Sequence, residues 1–234
     1  MIMPTITLRR RRVIVDVDTQ RHFFLTRGIV CVQNHRRVLA NIRRVVDWAQ
    51  LKNIPMISTV QIYSGNHRYC NSRFADTDGQ KKISYTLRKR FTSFDANDCT
   101  DLPPQLLDQY DQVILHKRCF DPFEEPRADR MLSEVHADEF IVIGAVMEGA
   151  VKATALGLLA RQKNVTVLID AIGSYDRIAG ETTLRQIWER GAKLTTTKTL
   201  LRYSCFELTG PYDHNGHRAQ ITRGPLFGNK IWGS

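Results

Sequence analysis

Short runs of almost unbroken apolar residues alternate along this chain with stretches of helical periodicity, and no other feature limits the fold so tightly. The runs are 13–17 (VIVDV), 54–63 (IPMISTVQIY, with Pro55 near its start), 112–117 (QVILHK), 139–146 (EFIVIGAV) and 165–171 (VTVLIDA). A strand in which both faces are buried reads this way, because neither face meets water. Between the first two runs, Val38, Leu39, Ile42, Val45, Val46 and Ala49 recur at the i, i+3, i+4 spacing of an amphipathic helix, which Asn53 stops. Further helices are predicted over 126–137, 148–162 and 181–192, the last ending at Gly191. Strands alternating with helices predict a three-layer α/β/α sandwich around a mainly parallel sheet covered on both faces.

The 234 residues suit one such domain, with 42% hydrophobic residues to build its core. Residues 64–100 are polar and charged and read as a long excursion. From Tyr203 the periodicity is lost and Gly and Pro accumulate, so the expected organisation is a domain over 1–202 and a C-terminal extension over 203–234. Phe206, Leu226, Phe227, Ile231 and Trp232 suggest that this arm or lid packs on something, and a tail clasping a second subunit is equally consistent. No apolar run approaches the roughly 20 residues of a membrane span, and Asp16 and Asp18 interrupt the N-terminal run before it could form a secretory signal. Five cysteines, odd in number and without a CxxC pair, argue against a disulfide scaffold and a cysteine-rich zinc site. The expected location is the reducing cytoplasm.

The net charge of +10 is spread over the arginines at 9–12, Arg36 and Arg37, Arg43 and Arg44, Lys81 and Lys82, and the LRKR at 87–90. No aromatic-interleaved motif accompanies these cations, so they read as a solvated surface or an acidic-substrate funnel, and nucleic acid is disfavoured as a partner.

In a parallel sheet the functional groups gather at the carboxyl ends of the strands. The first run ends in Asp18, Gln20 and Phe23, the third in Lys117. The fourth leads through Gly144, Ala145, Gly149 and Ala150 into a helix. This ordered set resembles the isochorismatase-like cysteine hydrolases: a strand then D-x-Q-x-x-F (Asp18, Gln20, Phe23), a strand then Lys117, the 144–151 elbow, and a strand ending in Asp170 and Ala171. The match spans roughly residues 13–200. The resemblance implies an Asp–Lys–Cys triad in which a thiolate attacks a carbonyl carbon, an Asp takes its proton and a Lys organises the pair. It further implies a cis peptide at Ala145–Val146, an oxyanion turn of Ala145, Val146, Gly149 and Ala150, no cofactor, and homo-oligomers. A thiol at a helix N-terminus does gain thiolate character from the dipole and a nearby cation, and backbone amides there stabilise an oxyanion.

The cysteine position, however, holds Ala150. Losing a triad nucleophile removes about 10⁶ in rate. Three explanations stand: a natural binding relative; an amide or ester hydrolase in which Cys has been replaced by Ala to trap a substrate; or chemistry moved elsewhere. For the last, Cys119 lies two residues beyond Lys117, and Glu148 could orient a water with Asp18. The expected pocket, bounded by Gln20, Phe23, Cys119 and Glu148, would take a small anionic or carbonyl-bearing molecule. A non-catalytic assembly protein using a helix over 31–44 and the C-terminal arm is a further reading. Metal-binding nicotinamidases carry D-x-H after the second strand, where this chain has Gln61 and Tyr63. His67 alone cannot make a zinc site, so no metal is expected.

Overall fold

A computed structural model of the chain describes residues 11–25, 30–63 and 77–205. Seven strands form one all-parallel sheet in the order β3-β4-β2-β1-β5-β6-β7. They are β1 (Arg12–Val17), β2 (Met56–Gln61), β3 (Phe91–Phe94), β4 (Gln112–Lys117), β5 (Glu139–Gly144), β6 (Val165–Ile172) and β7 (Lys193–Thr195). The helices are α1 (Arg21–Phe24), α2 (His35–Leu51), α3 (Thr77–Gln80), α4 (Leu106–Gln109), α5 (Pro126–Glu134), α6 (Lys152–Ala160), α7 (Arg177–Glu189) and α8 (Thr197–Cys205). None of the helices among the described residues is long and apolar enough to cross a membrane.

Strand alternation sorts the side chains into two layers. Val13, Val15 and Val17 of β1 pack with Ile57, Val113, Leu115 and Val142 beneath α5, α6 and α7. Ile14, Met56, Ile141, Ile143 and Leu168 pack on the opposite face beneath α2, with Leu200 of α8. The sheet winds outward from β1 to β2 and returns on the other side of β1 as β5, which leaves a crevice at the carboxyl ends of these central strands.

Two strands and four helices go beyond the sequence expectation, and three of these helices, α1, α3 and α4, are single turns of four residues. β3 lies inside the polar excursion and β7 has three residues, so neither is long enough to show a two-residue period. α8 begins where the Asp170 carboxylate accepts hydrogen bonds from the Thr197 amide and hydroxyl, at 2.8 and 2.9 Å. A cap contributed from 27 residues earlier leaves no local trace. α8 also runs through Cys205, past the boundary placed at 202, while 206–234, and with them most of the expected arm, lie outside the described residues. The helix expected over 31–44 starts at His35. The one expected over 181–192 starts at Arg177, because Asp176 caps it through the Ala179 amide (2.8 Å).

Gly144 ends β5 with φ of 123°, and a Cβ there would lie 1.9 Å from the Val17 carbonyl oxygen. Only glycine lets the chain turn this close to β1. Gly144→Ala should therefore lower the unfolding free energy by at least about 2 kcal/mol, read from the denaturant midpoint. Tyr85 gives a second measurement. Burial pushes its hydroxyl up to about 12 from an ordinary value near 10, so the folded state holds this proton more tightly than the unfolded chain does. Stability from this group is complete below about pH 10 and is lost as pH rises toward 12. Tyr85→Phe should remove that part of the alkaline decline in melting temperature.

Candidate active site

The polar residues of β2 and β4 explain how a buried site forms in an otherwise apolar sheet. Ile57, Thr59 and Gln61 share one face of β2, and Val113, Leu115 and Lys117 share the same face of β4, with Gln61 opposite Lys117. The apolar ends of both rows join the core under α5 and α6, and the polar ends converge beside the residue that follows β1. That residue, Asp18, has φ of 47°, a left-handed conformation that Asp tolerates better than most side chains.

Asp18 and Lys117 form an ion pair of 2.7 Å, their side chains 2% and 0% exposed. The other carboxylate oxygen of Asp18 accepts from the Thr59 hydroxyl at 2.6 Å. The ammonium of Lys117 also points at Gln61 Oε1 (2.8 Å) and at the carbonyls of Cys119 (3.1 Å) and Phe120 (3.3 Å). Three N–H donors thus face four acceptors, and the ammonium is saturated by the protein. Lys117 is not the solvated strand-end charge that its type suggests, and Asp18 caps no helix. Thr59 and Gln61 escaped the sequence reading as site residues. The signal was present in the buried run MISTVQ, where three of six residues are polar and must find partners.

Gln20 is fully buried and clips β1 to β2. Its carbonyl accepts from the Gln61 amide (2.9 Å), and its amide donates to the carbonyls of Gln61 and Gln80, each 2.8 Å away. It positions the strand ends and does not line the cavity. Phe23 packs on the opposite side of the sheet with the residues beneath α2, because the short helix α1 turns it away from the strand ends.

Beyond β5 the Ala145–Val146 peptide is cis, and a π-turn at Met147–Val151 leads into α6. The amides of Ala145 and Met147 donate to the carbonyls of Val17 and Gly173 (2.8 Å each), which moors the turn to β1 and β6. Ala150 is 3% exposed and its carbonyl accepts from Thr154 Oγ1 at 2.7 Å. A cavity of about 360 Å³ opens beside this turn, lined by Gly149 and Ala153 on one side and by Gln61, Cys119, Phe120 and Glu124 on the other. A Cβ on Gly149 would meet no atom within 4 Å, so the turn borders open space there.

Of the remaining candidates, Cys119 lines this cavity, but burial, and then its hydrogen bond to Glu124, push its thiol up, the wrong direction for a nucleophile. Glu148 faces the corner between β6 and α7. Its Oε1 accepts from the Ser174 hydroxyl and the Asp176 amide, and its Oε2 is buried without a partner. It is engaged away from Asp18. Arg118, at the cavity wall, is held by Asp98 and then Glu125 in its charged form. No group of three or more His, Cys, Asp or Glu among the described residues could hold a metal ion, and His67 lies outside them.

Residues 12–199 match the model of the isochorismatase domain. The chain belongs to the isochorismatase family. Similar solved structures include an isochorismatase-like hydrolase from Alkaliphilus metalliredigens, with 18% identity over 83% of this chain and 98% of that one, at a TM-score of 0.65. A cysteine hydrolase from Pseudomonas syringae pv. phaseolicola shows 19% identity over 84% and 94%, at 0.66. The zinc-bound pyrazinamidase of Pyrococcus horikoshii shows 20% over 80% and 99%, at 0.62. At these identities the isochorismatase likeness establishes the fold. No curated protein matches the sequence.

A buried ion pair is dangerous to break and cheap to replace whole. Lys117→Met should destabilise the fold by about 3–5 kcal/mol by stranding the Asp18 carboxylate, and adding Asp18→Asn should restore most of that. Urea denaturation of both variants measures it. Equal losses in the single and double variants would show that the pair is not coupled as drawn.

Proposed function

We propose that this isochorismatase-family protein holds a small carbonyl-bearing ligand in the cavity beside the Asp18–Lys117 pair and has lost covalent turnover, because Ala150 stands where the family resemblance places a nucleophilic cysteine. One observation supports the reading above others. The ion pair is complete and fully buried, and the residues that saturate it, Gln61, Cys119 and Phe120, are the wall of the cavity whose far side is the 149–153 turn. With a thiol at 150, Asp18 would be the group to receive its proton and Lys117 would hold the carboxylate in place. An alanine methyl has no proton to give and no electron pair to share.

The charges around the cavity favour the carbonyl-bearing ligand over the anionic one. Lys117 has no free donor, Arg118 is tied to two carboxylates, and Asp121 and Glu124 lie on the wall. An anion would meet acids there, whereas an uncharged amide or ester would not be repelled.

The same geometry favours one second reading, an amide or ester hydrolase in which alanine has replaced the cysteine. A buried ion pair adds little stability, so an intact one fits a centre still shaped for chemistry. Both readings make a common prediction for Ala150→Cys. At pH 7 the new thiol should be alkylated by iodoacetamide at least about tenfold faster than Cys119, by the dipole and cation effects on thiolates, as read by peptide mapping. The variant should also gain turnover on a panel of small amides and esters that the Ala150 protein binds, by a raised melting temperature, without cleaving. A thiol at 150 no faster than Cys119 would sink the assignment of this turn.

A further inference from the structure

Folding brings together cations that lie far apart in the sequence. α2 and α8 pack side by side over one face of the sheet, joined through Val38 and Leu200 in the same core cluster. α2 carries four arginines against one acid, Asp47, and α8 carries Lys198 and Arg202 with no acid at all. These two helices thus supply about half of the net charge of +10. Arg36, Arg43, Arg44, Lys198 and Arg202 are all exposed, and none has a carboxylate partner among the described residues. On the other layer, by contrast, Arg130, Arg161 and Arg177 are each paired with an acid.

We propose that the outer face of α2 and α8 is a docking surface for single-stranded RNA, gripped through its phosphates without sequence readout. Arginines dominate the face, and a guanidinium engages phosphate through two parallel hydrogen bonds. Two helices covering a sheet present an outward-facing layer, along which a flexible strand can follow cations spaced about 10 Å apart, seven residues of helix from Arg36 to Arg43. The apolar stripe of α2 (Val38, Ile42, Val45, Val46, Ala49) is buried in the core, which leaves Leu51 at the helix end as its one exposed large apolar side chain, too little to insert into a lipid surface. The outward positions 36, 40, 43, 44, 47, 50 and 51 hold one large aliphatic residue, Leu51 at the helix end, and no aromatic, so the face lacks the cluster of anchors on which a protein interface is built. Two copies of the face would repel each other.

The test is fluorescence anisotropy with a labelled 20-nucleotide polyuridylate and the full chain at 50–300 mM salt. The wild-type protein should bind, with affinity falling steeply as salt rises. Arg36→Gln/Arg43→Gln on α2 and Lys198→Gln/Arg202→Gln on α8 should each weaken binding about tenfold and flatten the log–log salt slope by about 1.4, two phosphate contacts each. Arg130→Gln on the opposite layer should change neither. The two double variants alter separate helices, so a folding defect in one leaves the other informative, and circular dichroism checks both. Absence of binding at 50 mM salt, equal losses from Arg130→Gln, or binding to phosphatidylserine vesicles or an acidic peptide but not to the RNA would each overturn the proposal.

Discussion

The Asp18–Lys117 ion pair links the carboxyl ends of β1 and β4 across the intervening β2, and the local structure is arranged to keep it satisfied. Two charges out of water are tolerated only when every donor and acceptor around them is engaged. Thr59 and Gln61 on the strand between meet that need from the sheet, and the carbonyls of Cys119 and Phe120 meet it from the loop beyond β4. Gln20 then fixes the end of β1 against β2 by copying the pairing of a strand neighbour. The cavity wall is a consequence of this arrangement, because the loop that solvates Lys117 is the loop that faces the 149–153 turn.

β1 carries a second buried charge on its other face. Asp16 pairs with Lys82 at 2.7 Å and accepts from Ser58 and Thr19, and Ser58 in turn accepts from Gln112. Lys82, which reads in sequence as one of a surface pair with Lys81, is 8% exposed. A one-residue slip of β1 would swing Asp16 away from Lys82 and Ser58 and turn its apolar neighbours to the opposite face, so the Asp16–Lys82 pair also fixes the register of the strand.

The isochorismatase fold therefore separates two electrostatic regions. Under α5 and α6 the charges are internally neutralised around a cavity with acidic walls, while Arg36, Arg43 and Arg44 of α2 and Lys198 and Arg202 of α8 have no carboxylate partner among the described residues. A carbonyl-bearing ligand and a polyanion would meet these regions on opposite faces of one sheet, without competing.

By itself the sequence determined the sandwich and its central strands, since strands buried on both faces must be apolar nearly throughout and the helices between them must carry one apolar stripe. It also located Asp18, Lys117 and the 144–151 elbow at strand ends, where a parallel sheet gathers its polar groups, and it showed that residue 150 is alanine. Tertiary structure alone decided which polar residues were partners. Gln61 and Thr59 matter because β2 lies between β1 and β4, an order no local pattern encodes. Gln20, Phe23 and Glu148 lie outside the expected pocket because Gln20 clips β1 to β2, helix α1 turns Phe23 beneath α2, and Glu148 accepts from Ser174 and Asp176. The short β3 and β7, the start of α8 and the shared basic face all depend on residues brought together from distant parts of the chain, and periodicity within one segment carries no information about such neighbours.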